Sequence, residues 1–212
     1  MDIFYLILGL FIFLALTTII WRFSSRRISL PCPVWLGWLV ELDNPFTKIN
    51  QAATIIHHLS IRPGMTVLDV GCGPGRLAIP LAYKVGPKGD IVAMDIQVGM
   101  LDKVKKKAQA ENLTNISFLH SGIGEKKLKN EYFDRVLLVT VLGEIPNREM
   151  ALKEIFDALK PGGVLSITEI IFDPHYQRFN TVNQLTSAIG FQEREIFKDR
   201  FAFTLNLEKP AR

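Results

Sequence analysis

Apolar and polar positions divide this chain into two unlike parts. From Ile3 to Trp21 the sequence carries no charge and is almost wholly apolar. From about Thr47 onward, short apolar runs alternate with amphipathic stretches. About 20 apolar residues at a helical rise of about 1.5 Å span the hydrocarbon core of a bilayer, so the first part reads as one transmembrane helix. Arg22, Arg26 and Arg27 follow it and only Asp2 precedes it, which puts the arginine side in the cytoplasm. A cleaved signal peptide needs a basic segment before the apolar run and a small-residue cleavage site after it; neither is present. The expected organisation is an anchor over 1–27, an interfacial linker over 28–46 and a further domain over 47–212, single-pass and facing the cytoplasm.

In the second part the periodicity predicts a helix over Thr47–Leu59 and a strand over Val67–Val70. A helix over Arg76–Val85 follows, kinked or shortened by Pro80. Next come a strand over Ile91–Met94, a helix over Gly99–Asn112, and strands over Ile116–His120 and Arg135–Thr140. The pattern continues with a helix over Arg148–Leu159, stopped by Lys160-Pro161-Gly162-Gly163, and a strand over Val164–Ile170. A helix over Thr181–Ala188, stopped at Gly190, and two antiparallel strands over Glu195–Lys198 and Phe201–Leu207 complete it. Alternating β and α segments predict an α/β fold with a doubly wound sheet.

The chemistry begins at Val67-Leu68-Asp69-Val70-Gly71-Cys72-Gly73-Pro74-Gly75-Arg76. A strand ends in an acid, and glycines at alternate positions lead into a helix. Such a loop lets backbone approach a nucleotide-like group at the strand's carboxyl end. The dinucleotide pattern G-x-G-x-x-G fails because Arg76 stands at its third glycine, and the phosphate loop fails for want of its lysine. Asp95 ends the next apolar run, about 20 residues further on, where an acid can accept hydrogen bonds from ribose hydroxyls.

With Phe133-Asp134-Arg135-Val136-Leu137-Leu138-Val139 and Leu159-Lys160-Pro161-Gly162-Gly163-Val164-Leu165, these stations resemble the class I S-adenosylmethionine (SAM)-dependent methyltransferases, especially the group around the ubiquinone/menaquinone methyltransferases. The resemblance runs from about Asn44 to the C-terminus. It implies a seven-stranded sheet of order 3-2-1-4-5-7-6 with the last strand antiparallel, SAM as cofactor, and a methyltransferase activity. It assigns Asp69 to the methionine end, Gly71, Cys72, Gly73 and Gly75 to the loop, Asp95 to the ribose, and Ile96 to the adenine face. Many relatives carry an acid after the third strand that binds the adenine amino group; here Gly122 stands about there. Either backbone groups of Gly122, Ile123 and Gly124 take over, or Glu125 moves in.

The acceptor side is less legible. Candidates lie after the fourth and fifth strands: Thr140, Glu144 and Pro146, then Glu169, Asp173, His175 and Tyr176. Glu144 and His175 are the candidate catalytic residues, His175 because imidazole titrates near neutrality. His57 and His58 adjoin on a helix and point apart, and two cysteines without C-x-x-C give no thiolate zinc site, so no metal is expected. Net charge of +4 is too small to argue for nucleic acid, and the asparagine/aspartate-Pro-Pro-aromatic motif of amino-directed nucleic-acid methyltransferases is missing. The lysines at 103, 105, 106 and 107 read as a solvated helix face or as a contact with anionic lipid; Trp35 and Trp38 lie at the bilayer surface or on the domain. The expected partners are a small hydrophobic or lipid-phase acceptor and the membrane. A SAM-binding scaffold without turnover stands as the alternative, and an oxidoreductase is disfavoured because Tyr-x-x-x-Lys is lacking.

Overall fold

The computed structural model describes residues 47–211 without a break, and before them residues 5, 7–13, 16, 17, 19, 33–37 and 41–43. Most of the expected anchor, together with Trp38 and much of the linker, lies outside the described residues. Among the described residues no helix is long and apolar enough to cross a membrane.

The order of elements is α1 (Ala52–His58), β1 (Thr66–Val70), α2 (Ala78–Val85), β2 (Asp90–Asp95), α3 (Val98–Ala110), β3 (Ile116–His120), β4 (Phe133–Val139), α4 (Arg148–Ala158), β5 (Leu159–Ile170), α5 (Phe179–Ile189), β6 (Gln192–Lys198) and β7 (Ala202–Glu208). They form a seven-stranded sheet of order 3-2-1-4-5-7-6, as the resemblance implies. β7 runs antiparallel to both β5 and β6, while β1 pairs in parallel with β2 and β4.

Side-chain alternation along the strands assigns each residue to a layer. On β1, Val67 packs with Ile55, Leu81, Ile91 and Val104 under α1–α3. Leu68 and Val70 turn the other way, onto Leu152, Ile155 and Val182 of α4 and α5. Full burial of one such side chain is worth about 1.5–3 kcal/mol, so both layers fasten the sheet.

Three predicted elements differ in the structure. The helix expected from Thr47 is split: Lys48–Asn50 form a 3₁₀ turn, Gln51 is extended, and α1 opens at Ala52, whose N–H donates to Asp43 Oδ1 at 3.1 Å. The helix expected from Arg76 begins at Ala78, because the glycine loop still turns through Arg76. Pro80 therefore falls in the first turn, where a missing N–H costs no helical bond. The Lys160-Pro161-Gly162-Gly163 stop is absent as such. The chain turns extended at Leu159 and goes straight into β5, whose register against β4 shifts between Phe133 and Arg135. Gly190, by contrast, closes α5 in the left-handed region at φ 112°.

The linker residues that are described pack on the domain. Lys103 Nζ donates to Val34 O at 2.6 Å, Lys107 pairs with Glu41 at 2.7 Å, and Arg76 pairs with Asp43 at 3.0 Å. Two of the four clustered lysines thus hold the linker, while Lys105 and Lys106 stay exposed. Trp35 is 73% exposed.

Candidate active site

Parallel pairing brings the carboxyl ends of β1, β2, β4 and β5 to one edge of the sheet, where the loops leave a crevice. After β1, Gly71, Gly73 and Gly75 take φ of 67°, 52° and 93°, a region that side chains avoid. Space enforces the first of these as well: a Cβ on Gly71 would stand 2.6 Å from Val141 Cγ2. Asp95, at the end of β2, is tied to the loop. Its Oδ2 accepts from Gly73 N at 3.0 Å and its Oδ1 from Gln97 N at 2.8 Å. Burial raises its pKa, and these N–H donors oppose the rise.

The crevice encloses a cavity of about 300 Å³, at the small end of the range for small-molecule sites, about 300–1,000 Å³. Gly71, Gly73, Asp95, Ile96, Gly122 and Ile123 line one end; Thr140, Glu144, Asp173 and His175 line the other. Both candidate catalytic residues, Glu144 and His175, and six of the nine candidate cofactor residues therefore share one cavity.

Asp69, Cys72 and Gly75 do not line it. Asp69 is 3% exposed and shares the face of Val67. It accepts the N–H of Ala78 at the start of α2, and burial pushes its pKa up to about 7 against the pull of Arg76. Its position braces the loop from behind, and its Oδ2 has no partner among the described residues. Cys72 is buried with its N–H on Met94 O at 2.9 Å; burial pushes the thiol pKa up, so it stays protonated and unreactive. Gly75 backs onto Val104 and admits close packing of α3. Arg76, the residue that spoils the dinucleotide pattern, clamps the preceding segment through Asp43 and the Asn50 carbonyl, the latter at 2.6 Å.

After β3 the Glu125 side chain turns back onto Gly122 and does not line the cavity. Its carboxylate accepts from Ser121 Oγ at 2.9 Å and from Gly122 N at 3.1 Å. A Cβ on Gly122 would meet Glu125 Oε1 at 2.8 Å, so the glycine makes room for this carboxylate.

At the acceptor end, the turn Leu142–Glu144 after β4 faces the loop after β5. His175 Nδ1 lies 3.7 Å from Glu144 Oε1 and 4.0 Å from Asp173 Oδ1, and the Asp173 carboxylate accepts the His175 N–H at 2.6 Å. Burial, followed by the charges of Asp173 and Asp95, raises the Glu144 pKa to about 8. Glu169 lies nearby, buried; its Oε2 accepts from Gln177 N at 2.9 Å, and burial pushes its pKa up to about 8. Tyr176 packs edge-on against Phe203 instead of lining the cavity. Thr140 holds a left-handed φ of 56°, which is strained for a β-branched residue. Sequence reasoning missed Gly143, where a Cβ would collide with the His175 carbonyl oxygen, and the apolar wall of Val139, Val141 and Ile145.

Residues 61–199 match the family model described as a methyltransferase domain. The chain belongs to the class I SAM-dependent methyltransferases. Among relatives of this methyltransferase, a ubiquinone/menaquinone biosynthesis C-methyltransferase of Vibrio vulnificus is 32% identical over 117 residues, 53% of this chain and 45% of that protein. A demethylmenaquinone methyltransferase of Lactobacillus johnsonii is 36% identical over 112 residues, 52% of this chain and 46% of that protein. The chain thus spans less than half the length of these relatives. A SAM-dependent methyltransferase from Aquifex aeolicus superposes with a TM-score of 0.74 at 20% identity, over 84% of this chain and 99% of that one; it shares the fold. The cavity fits SAM. Asp95 presents a carboxylate to the cavity, Gly71 and Gly73 let a ligand approach the backbone with no side chain in the way, and Ile96 gives an exposed apolar face.

Proposed function

We propose that this methyltransferase acts on a small hydrophobic acceptor in the lipid phase, a quinone-like ring foremost, with a phospholipid amine or a hydrophobic thiol or phenol as the other classes. We further infer that residues 3–21 tether it to the membrane with the catalytic domain on the cytoplasmic side. The observation that carries this reading is the makeup of the cavity. Between Asp95 and the Glu144–His175 pair its walls are Val139, Val141, Ile145 and Pro146, suited to an apolar body with one polar point of attack. The two relatives, both named for quinone methylation, support it.

When bound, SAM supplies a methyl carbon activated by a positively charged sulfur. The protein's part is to hold the acceptor in line, keep water out and receive a proton. The acceptor, whether amine, phenol or ring carbon, has a proton to lose. His175 and Glu144, 3.7 Å apart, are the pair placed to take it. Asp173 holds the His175 backbone through the 2.6 Å bond, and so fixes where the imidazole sits.

Labelled methyl transfer from SAM into a total membrane lipid extract tests the proposal. Label in a quinone-like or phospholipid fraction, with a mass gain of one methylene, is the expected result. Binding of SAM without transfer into any fraction would replace the reading with that of a SAM-binding scaffold.

A further inference from the structure

The loops around the cavity mouth carry large apolar side chains that the domain leaves uncovered. Ile171 and Phe172, just after β5, are 43% and 54% exposed. The Ile171 N–H donates to Phe201 O at 2.8 Å, and the Phe172 and Phe201 rings lie 5.3 Å apart, so the end of β5 and the start of β7 form one ridge. Across the cavity, Ile96, Val98 and Trp35 are also exposed. All of these stand at the carboxyl edge of the sheet.

Cations surround the ridge. Lys198 ends β6 at the same edge, with its Nζ over the Phe179 ring. Arg200 lies in the β6–β7 turn, its guanidinium 5.5 Å from the Phe201 ring. Arg178 is exposed ahead of α5. The acids among them are tied to the turns they sit in: Asp199, itself exposed, accepts from Phe201 N and Ala202 N at 2.7 and 2.8 Å, and Asp173 accepts from His175 N.

We propose that this ridge is a lipid-docking face. Ile171, Phe172 and Phe201 seat in the surface of an anionic bilayer, Arg178, Lys198 and Arg200 pair with its headgroups, and the cavity mouth at Asp173 and His175 opens onto the lipid. Aromatic side chains favour the bilayer surface, and basic side chains reach from apolar surroundings to anionic headgroups. A bilayer suits the place as well as the chemistry. Val34, in the segment that follows the apolar run of Ile3–Trp21 in sequence, packs over Gly99 at the start of α3, at this same edge. The inference deepens the lipid-phase reading of the acceptor and rests on it.

The test uses the full chain in vesicles of phosphatidylglycerol and phosphatidylcholine that contain a lipid with a photoreactive diazirine in its acyl chain. After irradiation, labelled peptides are mapped by mass spectrometry. Label is expected at Ile171–Phe172 and at Phe201, in addition to any in residues 1–43. It should drop at least about fivefold in Phe172→Ser, in Arg178→Glu/Arg200→Glu, and when phosphatidylcholine replaces phosphatidylglycerol. The same variants should bind adenosylhomocysteine as the parent does, which shows them folded. Label confined to residues 1–43, or equal label in Phe172→Ser, overturns the docking face while leaving the enzyme reading intact. Failure of the parent chain to bind adenosylhomocysteine overturns the enzyme reading, whatever the label shows.

Discussion

Asp95 Oδ2 accepts a hydrogen bond from the backbone N–H of Gly73 at 3.0 Å. That bond fixes the loop after β1 to the acid after β2, and with Gln97 N on Oδ1 it orients the carboxylate from behind. With Ile96 N–H also acting on it, the carboxylate still keeps acceptor capacity for the cavity. Asp95→Asn keeps the shape but turns one oxygen into a donor, which must then face either Gly73 N–H or Gln97 N–H. A hydrogen bond involving a charged group is worth about 1.5–3 kcal/mol, so adenosylhomocysteine should bind roughly 10–100-fold more weakly to this variant. Calorimetry measures the affinity, and urea unfolding verifies the fold. An affinity within about threefold of the parent would remove Asp95 from the ribose site.

Protons should govern the acceptor end. Burial and the Asp173 and Asp95 charges raise Glu144 from an ordinary 4.5 to about 8, so it is mostly neutral at pH 7 and becomes a base as the pH rises. Methyl transfer should therefore climb through about pH 8. Glu144→Gln should lose that limb together with roughly 10²–10⁴ of the rate. A rate profile flat through that range would assign the proton to another group.

Stability should run the opposite way. Asp69, Glu144 and Glu169 all sit above their unfolded values. The folded state therefore binds their protons more tightly than the unfolded chain does. The stability they contribute is complete below about pH 4 and is lost as the pH rises through about 7 to 8. Glu169→Gln keeps an acceptor for Gln177 N and never ionises, so its stability relative to the parent should improve from about pH 5 to about pH 9. Urea melts at both values check the sign, and a constant difference would mean that Glu169 is already ionised when folded.

The layout of the site was legible where local periodicity and chain order decide it. The alternation through Val67–Val70 and Ile91–Met94 fixed β1 and β2, and with them the loop and Asp95. The same alternation also held a fact that the motif obscured: Asp69 shares the face of Val67, so it had to point into the helical layer and not into the crevice. What local pattern cannot carry is contact across long separations. Arg76 meets Asp43 and Asn50 of the segment before α1, and Gly71 meets Val141 and Glu144 meets His175 because β1, β4 and β5 lie side by side. The Lys160-Pro161-Gly162-Gly163 stop was misread because a helix can also end by turning straight into a strand, as Leu159 does.

The contact of Gly71 with Val141 sets a double test. Alanine at Gly71 is strained by a φ of 67° and by a Cβ placed 2.6 Å from Val141 Cγ2. Backbone strain of this kind costs about 1–3 kcal/mol. Val141→Ala in the same chain removes the methyl in the way and leaves the φ penalty, so it should restore part of the loss. A coupling of about 0.5–3 kcal/mol between the two sites is expected from denaturant melts. Strict additivity would show that the loop moves away from β4 freely.

Gly143 is the sharpest steric point of the acceptor end, and its φ is not what matters. Any Cβ there runs into the carbonyl oxygen of His175, which is backbone and cannot swing aside like a side chain. The loop after β5 must shift as a body, carrying His175 away from Glu144. Arg148 amplifies the effect, since it holds the Leu142 and Gly143 carbonyls at 3.0 Å each and keeps the turn from yielding. Misplacement of about 1 Å costs about 10²-fold in rate, so Gly143→Ala should lose that much methyl transfer. Adenosylhomocysteine affinity should stay nearly unchanged, because Gly143 does not line the cavity that Asp95 shares. The His175 imidazole, followed by NMR through a pH titration, should cease to report the ionisation of Glu144. Full activity in this variant, with the imidazole still sensing Glu144, would mean that the two loops do not need their close approach for catalysis.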